Sequence, residues 1–170
     1  MSEKTKTPII SNALKEDNVH LLKNKLFFGY NINAKDKFKN SLLHLAIENG
    51  AVECVKLLIA KKAAVNRSHR NGDTELIIVL RIKNEFQQKR EKIIKLLINV
   101  EEIDLKIKTW SEWNYLHFAC SFGNLTEVMQ DLYTVDGEGY YPIHRAIACG
   151  HIEVVKNLFN KYPQLDENMR

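Results

Sequence analysis

Apolar residues recur along this chain at intervals of three and four, with polar residues between them, which is the signature of helices buried on one face. The clearest run is residues 50–59, where Val52, Val55, Leu58 and Ile59 fall on one side of a helix. Residues 150–159 repeat the same order. A helix this short is marginal alone in water and must bury its apolar stripe against a neighbour. Glycines punctuate the pattern: Gly50, Gly123 and Gly150 stand where a first helix stops, in a position that suits a left-handed backbone. Pro8 and Pro142 stand at first helical turns, where the missing N–H costs nothing.

The pattern is also internally repetitive. Ser41-Leu42-Leu43-His44-Leu45-Ala46, Thr74-Glu75-Leu76-Ile77-Ile78-Val79, Asn114-Tyr115-Leu116-His117-Phe118-Ala119 and Tyr141-Pro142-Ile143-His144-Arg145-Ala146 align in phase, each followed by a second helical stretch. A weaker copy opens with Thr7-Pro8-Ile9-Ile10 and closes with Gly29-Tyr30-Asn31-Ile32-Asn33. One helix pair cannot close a core, so such copies stack and each covers the last.

These segments resemble the ankyrin repeat, with its T-P-L-H-x-A opening, G-H-x-E-I-V-K-L-L second helix and G-A-D-V-N close. The resemblance spans about residues 7–166. It implies an all-α solenoid of stacked helix–turn–helix units with β-hairpin-like loops. Residues 1–170 then form a single ankyrin-repeat domain, with units near 5–36, 37–69, 70–109, 110–136 and 137–166.

Two irregularities interrupt the period. The step from Ser41 to Thr74 is 33 residues, but from Thr74 to Asn114 it is 40. The excess falls around residues 84–90 and predicts an extended, projecting helix. From Asn114 to Tyr141 the step is only 27. There the fourth unit's second helix, residues 125–133, runs almost directly into Asp136, without the closing segment. Ile10 and Ile77 stand where the pattern has histidine. Polar residues in the first unit (Lys15, Glu16, Asp17, Lys23, Lys25) and the last (His151, Asn157, Asn160, Lys161) read as caps, so the array is expected to be complete as given.

Composition narrows the class. The chain is 45% hydrophobic and 27% charged, ordinary for a globular protein rather than a disordered one. Its longest apolar run, residues 76–80, is far too short to span a membrane. The N-terminal residues lack the apolar stretch of a secretory signal, and three cysteines do not make a disulfide framework. A reducing, cytoplasmic location is therefore expected. Charge is uneven: residues 1–108 carry 21 Lys/Arg against 13 Asp/Glu, or +8, and residues 109–170 carry 4 against 8, or −4. Such a division can orient an approaching partner.

Chemistry is less promising than six histidines and three cysteines suggest. His117 and Cys120 have the spacing of two ligands on one turn, but no Cys-x-x-Cys pair completes a structural zinc site. The resemblance implies instead that His44, His117 and His144 hydrogen-bond between adjacent loops. A Cys120–His117 hydrolase, with Asp131 or Asp136 as third member, is the remote alternative; it lacks an evident oxyanion loop. The glycines are scattered, so no phosphate loop is present. No cofactor, metal or catalytic residue is expected, and the protein is read as a non-enzymatic monomer.

What remains is a surface. In ankyrin arrays partners usually meet the loop tips and the exposed side of the first helices. Transferring those positions singles out Lys37 and Phe38 in unit two, Arg70, Asn71 and Arg81 in unit three, Trp110, Ser111, Trp113 and Phe122 in unit four, and Glu138 and Tyr140 in unit five. Both tryptophans lie on one tip, and aromatic residues dominate binding hot spots. Lys35, Lys37 and Lys39 surround Phe38, with Arg67 and Arg70 on the following loop. Basic residues among aromatics can suit nucleic acid, which is the alternative reading. The modest net charge of +4 fits better with a protein partner bearing an acidic edge. The resemblance implies a cytosolic adaptor or inhibitor, or an effector acting in a host cell.

Overall fold

The computed structural model describes residues 6–68, 72–82, 86–124 and 132–165, with side chains from Ile10 onward. The chain forms two compact units, Met1–Asp104 and Leu105–Arg170. Among the described residues it is helical, with no strand; one isolated antiparallel bridge pairs Lys35 with Ser41.

In the first unit, helices α1 (Lys6–Lys15), α3 (Leu42–Glu48) and α5 (Glu75–Leu80) form one layer, and α2 (Val19–Phe27), α4 (Val52–Ala60) and α6 (Gln87–Ile98) form a second. Each helix packs on its counterpart in the next pair, α1 on α3 on α5 and α2 on α4 on α6. The shared core holds Leu14, Leu22, Leu43, Ile47, Leu58, Ile77 and Leu97, all fully buried. Burying each such side chain contributes about 1.5–3 kcal/mol.

Polar side chains lock one pair to the next. Ala51 offers no side chain to cap α4. The carboxylate of Asp17 takes that role, accepting the backbone N–H groups of Glu53 (3.1 Å) and Cys54 (2.9 Å). Asn33 Oδ1 accepts the N–H of Ala64 at 2.8 Å. Asn66 repeats the device: its Oδ1 accepts the N–H of Asp104 at 2.9 Å and its amide donates to the carbonyl of Glu102. Asn33 comes from the closing segment of the first copy, and Asn66 holds the same place 33 residues later.

The expected insertion in the third pair lengthens α6 to 12 residues, against 9 in α4. Its first turn, Gln87–Lys89, is exposed. Residues 84 and 85 of that stretch lie outside the described residues.

The second unit contains α7 (Tyr115–Ser121), α8 (Pro142–Ala148), α9 (Ile152–Lys161) and a 3-10 turn (Pro163–Leu165). Its core gathers Leu116, Cys120, Leu132, Ile143, Ala146, Val154, Leu158 and Leu165. The helix expected over residues 125–133 falls mostly outside the described residues. Gly123, at φ +70°, is required twice over. A Cβ there would sit 2.8 Å from His151 Nδ1, and the His151 ring is fixed because its Nε2 donates to the Ser121 carbonyl at 2.8 Å.

Candidate interaction site

Three described loop tips share one geometry, and each turns within five residues. Asp36 N–H donates to the Asn40 carbonyl (2.9 Å), Thr109 N–H to that of Trp113 (2.8 Å), and Asp136 N–H to that of Tyr140 (3.0 Å). The Asp36 and Asp136 carboxylates sit inside their own tips. Asp36 Oδ1 accepts from the N–H groups of Phe38 and Asn40, and Asp136 Oδ1 from those of Glu138 and Tyr140. The fourth residue of each tip, Lys39, Glu112 or Gly139, takes a left-handed backbone. Rigid tips of this kind present the residues between their ends outward.

The histidines then join tip to helix. In α7, the backbone N–H of Asn114 donates to His117 Nδ1 (3.4 Å), and His117 Nε2 donates to the Tyr140 carbonyl on the next tip (3.0 Å). The inter-loop role that the resemblance implied is therefore met at His117, whose pKa burial pushes below its ordinary value. His44 departs from it. Its Nε2 lies 3.2 Å from the carboxylate of Glu75, and both side chains are fully buried. Glu75 also accepts the backbone N–H of Arg67 at 3.2 Å.

Around Trp113 the second unit gathers aromatic and charged side chains. The Arg145 guanidinium lies 4.6 Å from the centre of the Trp113 ring and 4.8 Å from that of Tyr140. Its Nε donates to Asp136 Oδ2 (2.7 Å), and its Nη2 donates to Glu138 Oε2 (2.7 Å) and contacts Asp136 Oδ2 as well. Two ring faces and two carboxylates thus hold one cation. Burial raises the Asp136 carboxyl, but the Tyr140 N–H, Arg145 and the Glu138 N–H outweigh it and hold the pKa below the ordinary carboxylate value. For Arg145 burial alone would lower the pKa; the hydrogen bonds it donates to Glu138 and Asp136 raise it instead. Trp113 also packs on Phe118, with ring centroids 5.0 Å apart, and Phe118 stacks on Phe122.

The structure separates the two tryptophans. Trp113 is half-buried in this stack, whereas Trp110 projects from the tip with 82% of its surface exposed. Ser111, Phe122, Glu138 and Tyr140 are exposed beside them in the same unit. In the first unit Lys37 and Phe38 are exposed on the Asp36 tip, with the Lys37 ammonium 4.9 Å from the Phe38 ring centre. Arg81 is bound to Asp73, Nε to Oδ2 at 3.1 Å. Arg70 and Asn71 lie outside the described residues. Arg145 was missed as a site residue, and Asp136 was considered only as a third member of the cysteine alternative. Arg145 left a signal, since it occupies a column filled elsewhere by Leu45, Ile78 and Phe118.

The cysteine alternative fails on chemistry. Burial pushes the Cys120 thiol up to about 12, so it is protonated at neutral pH, and both His117 nitrogens are engaged elsewhere. Cys54 is likewise raised to about 12, chiefly by burial and then by Asp17. Cys149 is exposed. In the native protein iodoacetamide is expected to label Cys149 and to spare Cys54 and Cys120 until denaturant is added. Rapid labelling of Cys120 at neutral pH, read by peptide mass spectrometry, would revive the nucleophile. Among the described residues no three His, Cys, Asp or Glu side chains meet as a metal cluster, and no helix is long and apolar enough to cross a membrane.

A family model described as ankyrin repeats matches residues 10–86 and 84–169. SMC5-SMC6 complex localization factor protein 1 of Homo sapiens is 33% identical over 107 residues, 59% of this chain and 10% of the relative. Its Bos taurus counterpart is 36% identical over 70 residues, 37% of this chain and 7% of the relative. An ankyrin repeat protein of Acanthamoeba polyphaga mimivirus is 30% identical over 69 residues, 41% of this chain and 10% of the relative. The chain therefore spans a tenth or less of the length of these relatives.

Proposed function

The chain belongs to the ankyrin-repeat family, whose units serve as protein–protein interaction modules, and we propose that it works by holding a partner protein on its loop tips and first helices. The observation that carries this is the Trp113–Arg145–Tyr140 stack with Trp110 exposed beside it. A surface already locked by two carboxylates and two rings loses little entropy on binding, so its contacts appear as affinity. Trp110 is the anchor, reached without rearranging the stack. Phe122, Ser111 and Glu138, exposed in the same unit, add to the contact. In the first unit, Lys37 and Phe38 meet an acidic edge of the partner, with Arg70, Asn71 and Arg81 extending that contact.

The human relative is named for localising the SMC5-SMC6 complex, which supports an activity consisting of binding itself. By the same reading the protein acts as an adaptor or inhibitor in the cytoplasm, its own or that of a host cell. A pull-down from eukaryotic cytosol tests this, with proteins identified by mass spectrometry and wild type compared with Trp110→Ala. The variant is expected to retain its partner at least tenfold less well, the loss of about 1.4 kcal/mol or more that an aromatic hot spot gives. Equal recovery by wild type and variant would overturn the placement. Capture of oligonucleotides rather than protein, with steep salt dependence, would overturn the partner class.

A further inference from the structure

The positive charge of the first unit is gathered on one layer. Residues 19–28, 52–62 and 87–98, which comprise α2, α4, α6 and the turns that end the first two, carry nine Lys/Arg against two Glu. The rest of residues 1–104 carries 10 against 11, so this layer holds the whole surplus. Arg90 is buried and donates to the Ile82 carbonyl, while the eight lysines are exposed, Lys25 in part. Lys23, Lys56 and Lys95 come in register, each directly after a buried residue of its helix, Leu22, Val55 or Ile94. Of the two glutamates, Glu53 pairs with Lys56 at 2.6 Å and Glu91 accepts from Gln87 Nε2. At the end of α2 the same layer bears Phe27 and Phe28, 83% and 79% exposed, with their rings edge to face at 5.4 Å. Their exposure belongs to the position. The N-caps Asn18 and Ala51 set the register, so Ala60 and Lys61 hold the same places in α4. Both are exposed, although α4 packs against α2 and α6. The repeat asks for no apolar residue there.

We propose that this layer docks on an anionic bilayer surface, with Phe27 and Phe28 entering the headgroup region and the lysines facing lipid phosphates and carboxylates. Three observations select that occupant. First, eight lysines and two adjacent exposed rings join the forces that hold a protein on a lipid surface, apolar burial and attraction to anionic headgroups. Second, every surface cation of these segments is a lysine. Lysine is a compact charge on a flexible stem and suits a fluid array of headgroups, whereas a fixed pattern of phosphates favours the arginine fork. Third, the two rings meet at 83°, so they offer no pair of parallel faces on which successive bases could stack. Phe27 lies one turn from Lys23, and Phe28 lies three residues from Lys25, so each ring has a cation beside it. Those lysine stems can lie along the interface while their ammonium groups stay in water.

Co-sedimentation of the full chain with phosphatidylcholine vesicles, with and without about 30% phosphatidylserine, tests this. Wild type is expected to sediment with the anionic vesicles, less so as salt rises, and to stay in solution with the neutral ones. Phe27→Ser/Phe28→Ser changes two exposed side chains and leaves the core intact. It is expected to bind the anionic vesicles about tenfold or more weakly, with an unchanged circular dichroism spectrum. Lys23→Gln/Lys61→Gln is expected to bind several-fold more weakly and to respond less steeply to salt. Trp110→Ala, in the second unit, is expected to bind vesicles as wild type does, so this surface and the protein-binding site can fail separately. A wild type that ignores anionic vesicles, or that binds neutral ones equally well, overturns the proposal. So does equal binding by wild type and the folded phenylalanine variant. Capture of a single-stranded oligonucleotide without vesicle binding overturns it too, and assigns the lysines to nucleic acid.

Discussion

Replacing Arg145 with methionine is expected to destabilise the second unit by about 3 kcal/mol, although no core side chain is touched. The Asp136 carboxylate is buried and holds its charge because Arg145 and two backbone N–H groups surround it. Methionine keeps the apolar stem but strands that charge, and removing one partner of a buried pair costs far more than the pair contributes. Both tryptophans of the chain lie in this unit, at 110 and 113, so urea unfolding followed by tryptophan fluorescence reads it directly. Repeating the titration across pH adds a second readout. The folded pKa of Asp136 lies below the ordinary value of 3.8, so the wild-type contribution is complete above that pH and is lost as pH falls through the lower folded value. The gap between wild type and Arg145→Met should therefore narrow in strong acid. A change under about 0.5 kcal/mol at neutral pH would mean that the stack is decoration rather than structure.

The corresponding weak point of the first unit is Glu75. Glu75→Ala is expected to cost about 3 kcal/mol, because it leaves the Arg67 N–H without its acceptor and His44 without the carboxylate facing it. Glu75→Gln preserves the shape and one acceptor, and should lose about half as much. The first unit contains no tryptophan, so far-UV circular dichroism during urea unfolding is the appropriate probe. If Glu75→Ala unfolds with the wild-type midpoint, the buried pair has no structural weight. The sequence did not single out this residue. It stands where the pattern has proline, one place into α5, and nothing in its neighbours announces a buried carboxylate.

The contrast between these residues marks where a sequence stops being sufficient. Helix positions, the glycine stops, the buried Cys54 and Cys120 and the inter-loop histidine at 117 all follow from a pattern that repeats. Each repetition tests the same local rule, that an apolar face at a period near 3.6 must find a neighbour. The two irregularities in the period were also readable, and the longer α6 bears out the first within the described residues.

What the pattern does not repeat, only the tertiary structure decided. Trp110 and Trp113 sit three residues apart on one tip, yet one is exposed and the other stacked, because Arg145 from α8 reaches one ring and not the other. The partner that fixes Trp113 lies 32 positions away, at a distance that no local rule spans. Local periodicity determined which residues form helices and which of their faces are apolar; contacts between distant positions decided which charges are buried and which ring is free.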